Sequence, residues 1–237
     1  MTQASEKRNE SHAELKLHNT IIYLLGVPAV GKYTVAKEIG RMTGARVVDN
    51  QLINIPVFSV VGYDGKDSFP FPPGASKHIE TIRSAVLAVI RNCCPPDDSF
   101  VFTNVLDAKD PGAREMFRRI QRLAKHRKAG FFPIWLTCDA ATLRRRKDSP
   151  DRRARFKDTD LTSITWWLEE FEVFKVEHRN ALTLNSADFE PQETAGRILE
   201  HIGVARGGEW AAHGAQSLAR AYGDNEPEYT TADLKPP

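Results

Sequence analysis

The sequence predicts an α/β fold: a five-stranded, mainly parallel sheet with helices on both faces. Three observations lead there. Short β-branched apolar runs alternate with stretches whose apolar residues recur at helical spacing. The runs are continuous rather than alternating, as in strands buried on both faces. The segments joining them are long enough to be crossover helices. The chain has 237 residues, 41% hydrophobic and 27% charged, enough to bury a core without disulfides or a structural metal.

Thr20 to Leu25 (T-I-I-Y-L-L) is the first strand. Lys32 to Thr43 follows as a helix with Val35, Ile39 and Met42 on one face, stopped by Gly44. Arg46 to Val48 is a second short strand ending at Asp49. Residues 54–75, rich in Gly, Pro and aromatics, read as one long connection. Ile79, Ile82, Val86 and Val89 mark a helix over Ser76 to Asn92, stopped by Pro95-Pro96. Ser99 to Val105 is the third strand. Asp110 and Pro111 are a cap and first-turn proline for a helix reaching Lys128. Phe131 to Thr137 is a strand whose Pro133 belongs at its start or on an irregular edge. A short helix through Leu143 enters a highly charged segment. A helix over Asp160 to Asn180 would align Trp167, Phe171 and Phe174 for core packing. Ala181 to Leu184 is the last strand and Glu193 to Ile202 the closing helix.

The structured domain is thus expected over 20–203, with a polar leader at 1–19. The tail at 204–237 has at most a loose helix over Trp210 to Tyr222. Three cysteines with no CxxC pair speak against a disulfide framework or a zinc site. With no apolar run long enough to cross a bilayer and no targeting pattern at the start, the expectation is a cytoplasmic protein that contacts no membrane. Lys plus Arg is 33 against 31 for Asp plus Glu, a net charge of +2 that excludes an overall polycation.

The sharpest local signal is Gly26-Val27-Pro28-Ala29-Val30-Gly31-Lys32-Tyr33-Thr34, which nearly matches the phosphate-binding loop G-x-x-x-x-G-K-[ST]. Glycines let the backbone curl so that its N–H groups point at phosphate oxygens. The next helix offers its positive end, and Lys32 neutralises the β- and γ-phosphates. The loop sits directly after an apolar strand and before an amphipathic helix, as the chemistry requires. One position departs: Tyr33 stands where a small hydroxyl normally binds Mg²⁺, and Thr34 lies about a quarter-turn away.

On this motif the chain resembles the P-loop kinases of the nucleoside-monophosphate-kinase-like type. These include shikimate, gluconate and chloramphenicol kinases and bacterial members labelled only as ATP-binding. The resemblance also rests on V-V-D-N-Q-L-I-N, S-F-V-F-T-N-V, W-L-T-C-D with L-R-R-R, and S-P-D-R-R-A-R, and covers about 20–203. It implies ATP and Mg²⁺ as cofactors and a small-molecule acceptor. Asp49, on a strand expected to adjoin the P-loop strand, would hold the acceptor hydroxyl or a metal-bound water. Thr34 and Asp49 would be the protein's Mg²⁺ ligands. It also implies a mobile lid over 144–158, from which Arg146, Arg152 and Arg153 would reach the transferring phosphoryl group. That segment holds eight bases and three acids, so its charge is concentrated.

Other residues divide between site and scaffold. Asn50 and Asn54 suit either substrate contact or a turn. Asn104 takes the place where many P-loop proteins carry a Walker B aspartate, which argues against a motor ATPase. Asn185-Ser186-Ala187 lies where the resemblance implies an adenine-facing loop. The basic helix carrying Arg114, Arg118, Arg119, Arg122, Lys125, Arg127 and Lys128 reads as a solvated outer face, so nucleic acid is disfavoured as a partner. Two rival functions remain: a non-catalytic nucleotide-binding module, and a nucleic-acid end-processing kinase.

Overall fold

The computed structural model describes residues 16–66, 69–147, 150–157, 159–161 and 163–205. Five strands, β1 (Thr20–Leu25), β2 (Arg46–Asp49), β3 (Phe100–Asn104), β4 (Gly130–Thr137) and β5 (Leu182–Asn185), form one sheet in the order β2-β3-β1-β4-β5. Every pairing is parallel, with Leu25 opposite Asn104 and Trp135, and Asp49 opposite Thr103. The connecting helices are α1 (Lys32–Thr43), α2 (Asn50–Val61), α3 (Ala75–Asn92), α4 (Ala113–Arg127), α5 (Ala140–Lys147), α6 (Pro150–Ala154), α7 (Ser163–Glu169) and α8 (Pro191–Ala205).

All six residues of β1 are buried, and its alternation sorts them into two cores. Ile22 and Leu24 pack with Val35 and Ile39 of α1 and with Ile198 and Ile202 of α8. Ile21, Tyr23 and Leu25 pack with Ile90 of α3 and with Phe117 and Ile120 of α4. The sheet is therefore covered on both sides, and its ligand-binding edge lies beyond the carboxyl ends of the strands.

Several expectations are corrected. Residues 54–75 are not all connection, because α2 runs from Asn50 to Val61 with Pro56 inside it. The first turns come before the proline, and Gly62 closes the helix in the left-handed conformation at φ 73. Pro111 precedes α4, whose cap is Gly112, and the Asp110 carboxylate accepts the Gly112 N–H at 2.8 Å. Helix over Asp160 to Asn180 is confined to α7. Beyond it the Phe174 N–H bonds to the Leu106 carbonyl at 2.9 Å, and Val173 bridges Asp107. Trp167 and Phe171 pack on the α1/α8 core and Phe174 in the α3/α4 core, so one helical face could not have served both. β2 does not adjoin β1, since β3 lies between them. Pro133 is inside β4, one residue before the β5 pairing begins, where β4 is still an edge on that side.

Residues 16–19 already belong to the fold: Leu17 is 3% exposed, and the Asn19 amide donates to the Arg127 and Lys128 carbonyls. The rest of the expected leader and the tail from 206 onward, Trp210 to Tyr222 included, lie outside the described residues. Arg127 is not solvated as expected but 8% exposed. No helix among the described residues is long and apolar enough to cross a membrane.

Candidate active site

The loop between β1 and α1 is shaped by two glycines. Gly26 has φ 144, and a Cβ there would stand 2.3 Å from the Leu136 carbonyl oxygen. Gly31, at φ 100, caps α1 in the left-handed conformation and turns the chain into the helix. Lys32 folds back across the loop, its Nζ donating to the Gly26 carbonyl at 2.7 Å and the Val27 carbonyl at 2.8 Å. Burial lowers its pKa to about 7, with repulsion from Lys157 and Arg152 adding to the shift. The ammonium is poised to exchange carbonyl partners for phosphate oxygens.

Loop residues Pro28 to Thr34 form one wall of a cavity of about 810 Å³, a size that suits a small-molecule site. Asp49, Asn50, Gln51, Asn54, Phe58 and Tyr63 form another wall, and Thr103 and Asn104 the floor. Asp49 is 3% exposed at the end of β2. Its backbone caps α2, but its side chain makes no cap bond. The carboxylate accepts instead from the Thr103 hydroxyl at Oδ1. At Oδ2 it meets Arg155 at 2.8 Å and Lys157 at 3.5 Å. Asn50 takes a hydrogen bond from Arg83 of α3. Gln51 donates to the Phe156 carbonyl at 2.7 Å. Asn54 keeps a buried carbonyl oxygen with no partner among the described residues, so this end of the cavity can accept one more donor. Phe58, Tyr63, Phe69 and Phe71 cluster edge to face beside it.

The charged segment divides three ways. Arg146 donates to the Ser186 hydroxyl at 3.2 Å and carbonyl at 2.9 Å, while Ser186 donates to the Val30 carbonyl at 2.6 Å. Arg146 thereby ties the P-loop to the wall made by Ser186, Phe189 and Pro191. Arg152 lines the cavity, whereas Arg153 is exposed and outside its lining. Lys147, inside the expected lid, is 2% exposed and donates to the Ser163 hydroxyl. Sequence reasoning missed Arg155 and Lys157, the two cations on Asp49. No period marks them among eight bases.

Tyr33 explains part of their placement. Its ring has the Arg155 guanidinium 3.4 Å from its centroid, Lys157 at 4.7 Å and Lys37 at 4.9 Å. The residues fit a nucleotide's phosphates but do not form a protein-held Mg²⁺ site. Tyr33 is covered by cations, Asp49 is fully engaged, and Thr34 is exposed on the first turn of α1. Asn104 offers a carboxamide whose nitrogen donates to Tyr23. No cluster of three acidic, histidine or cysteine ligands exists among the described residues.

No protein-family profile matches this chain, and no curated protein does. Solved structures do. A sugar kinase from Janibacter sp. HTCC2649 is 15% identical, with 79% of this chain and 96% of that one covered at a TM-score of 0.51. A candidate kinase from Chloroflexus aurantiacus is 13% identical, covering 77% and 97% at 0.53. A gluconokinase from Sinorhizobium meliloti 1021 is 12% identical, covering 87% and 99% at 0.49. The class is therefore that of the fold. The chain shares the parallel α/β fold of the first two of these structures.

Proposed function

We propose that the protein is a cytoplasmic phosphotransferase that moves the γ-phosphate of ATP to a small hydroxylated or phosphorylated acceptor. The observation that carries this reading is the pairing, in one cavity, of a phosphate-cradling loop and its lysine with a buried strand-end carboxylate. Kinases among the fold neighbours support it by analogy only.

The loop amides, the α1 terminus and Lys32 hold the β- and γ-phosphates. An acceptor hydroxyl displaces a cation from Asp49, donates its hydrogen bond to the freed carboxylate and is aimed at the γ-phosphorus. The acceptor oxygen–phosphorus bond forms as the γ-phosphorus separates from its bridging oxygen, and ADP leaves with that electron pair. The hydroxyl proton passes through Asp49 to water. Arg152 and Lys157 balance the transferring charge. The free Asn54 oxygen suits a second acceptor hydroxyl. Hydrolysis is the side reaction when no acceptor is bound.

The test is ADP release from ATP and Mg²⁺ with and without pooled acceptors (nucleoside monophosphates, sugar acids, aminoglycosides). Acceptor-dependent turnover, lowered about a hundredfold or more by Lys32→Ala, is expected. Tight ATP binding with no turnover in any pool would favour the rival reading, a nucleotide-binding module whose carboxylate stays neutralised by Arg155 and Lys157. The α4 bases are partly spent, which disfavours nucleic acid as a partner: Arg119 pairs with Glu80, Arg122 with Glu115, and Arg127 is buried.

A further inference from the structure

Tyr33 fills the P-loop position that ordinarily offers a hydroxyl to a divalent cation, and its surroundings are cationic. Arg155 lies on its ring, with Lys157 and Lys37 close by. A divalent ion placed there would have three like charges around it and no side-chain ligand from Tyr33. The strand-end carboxylate is no freer, since Thr103 takes Oδ1 of Asp49 and Arg155 and Lys157 take Oδ2. Asn104 on the neighbouring strand spends its nitrogen on Tyr23 and its oxygen on the Val105 N–H. Glu190, the other carboxylate at the cavity among the described residues, belongs to the wall beside Phe189 and Pro191.

We infer that this site takes its nucleotide as the metal-free polyphosphate, with Arg155 and Lys157 supplying the positive charge that a divalent cation brings to other P-loops. The inference rests on the reading of the cavity as a nucleotide site and specifies the ionic form of the ligand.

Two observations support it besides the donor set. Among the described residues the cavity lining holds five bases, Lys32, Lys37, Arg146, Arg152 and Lys157, against two acids, Asp49 and Glu190. Such an excess of like charge at close range is relieved by an anion and worsened by a cation. Arg155, which stands on Asp49 and the Tyr33 ring just behind the lining residues, also keeps one buried nitrogen, Nη1, with no acceptor among the described residues. An anionic oxygen would satisfy it, and charge-assisted bonds of this kind are the strong ones. Tyr33 is then a platform, fixed on the first turn of α1, that holds the two lid cations beside the phosphate cradle.

The experiment measures ATP affinity of the full chain by titration calorimetry, once in EDTA and once in excess Mg²⁺. The expected result is affinity in EDTA at least equal to that in excess Mg²⁺. Tyr33→Ser, which restores the usual residue, should shift the preference toward the magnesium complex by about tenfold. Arg155→Met with Lys157→Met should weaken metal-free binding by about tenfold or more and affect the magnesium complex less. If the wild-type protein binds ATP about threefold or more tighter with Mg²⁺, the inference is overturned and the kinase reading survives. If ATP binds in neither medium, the nucleotide reading itself falls and takes this inference with it. The wild-type comparison stands even where a variant fails to fold.

Discussion

Lys32 concentrates the pH dependence of the site. Burial lowers its pKa to about 7, Lys157 and Arg152 push the same way, and Asp49 opposes them. The neighbouring Cys138 thiol is raised by burial to about 11, so at neutral pH it is protonated and adds no charge. In the free protein a large share of Lys32 is thus neutral near pH 7. A bound polyphosphate stabilises the ammonium and raises that pKa. Below pH 7 the lysine is charged in both states and binding moves no proton. Above it, binding takes up a proton, and affinity should fall by up to about tenfold per pH unit between about 7.5 and 9. Calorimetry in two buffers of different ionisation heat measures the uptake; a flat affinity from pH 6 to 9 would mean that Lys32 stays charged without ligand. That Lys32, its loop and Asp49 meet at one edge of the sheet was legible in the sequence, because a G-x-x-x-x-G-K spacing after a strand and an acid ending a parallel strand both belong at that edge. Arg155 and Lys157 were not. They follow α6 in an irregular turn, where neighbouring side chains point in unrelated directions, so the eight bases could not be ranked.

At the scale of the element, Arg127 is the clearest case of a residue whose role only packing reveals. It ends α4, and its guanidinium donates to the carbonyls of Ile90, Cys94, Pro95, Pro96 and Asp98, at 2.5 to 3.3 Å, while lying 5.1 Å from the Phe100 ring. One side chain thus gathers the carbonyls between α3 and β3 that have left their helix. Lysine cannot reproduce that planar fork. Arg127→Lys should cost about 3 kcal/mol, roughly 10 °C in Tm, because buried acceptors lose their donors. Thermal unfolding measures this, and ATP affinity should not change, since Arg127 lies away from the cavity. The sequence showed the amphipathic face of α4 but assigned all its bases to water. The same limit produced the overlong helix at 160–180: Trp167, Phe171 and Phe174 keep helical spacing, yet they serve two different cores. Local periodicity tells which residues are buried together only while the chain remains a helix.

For the whole molecule, the sequence made parallel strands legible but not their order, because a crossover of given length can land on either side of β1. That order decides the site. With β3 between β1 and β2, Thr103 stands between the loop and Asp49 and donates to the carboxylate. The chain beyond α6 then closes over this edge: Arg155 and Lys157 hold Asp49, Gln51 holds the Phe156 carbonyl, and the Thr159 N–H reaches the Gly65 carbonyl at 3.4 Å. In the free protein Asp49 is the counter-ion that keeps the basic segment docked. Asp49→Asn removes that anchor and leaves two partly buried cations without their carboxylate. The loss of about 1.5 kcal/mol should make tryptic cleavage after Arg152 to Lys157 about tenfold faster without nucleotide. Saturating ATP offers the same cations a second anion, so it should slow cleavage in the wild type and restore protection to Asp49→Asn. If cleavage is equal with and without ATP in both proteins, the segment does not sense the nucleotide, and the coupling between lid and phosphate site is absent.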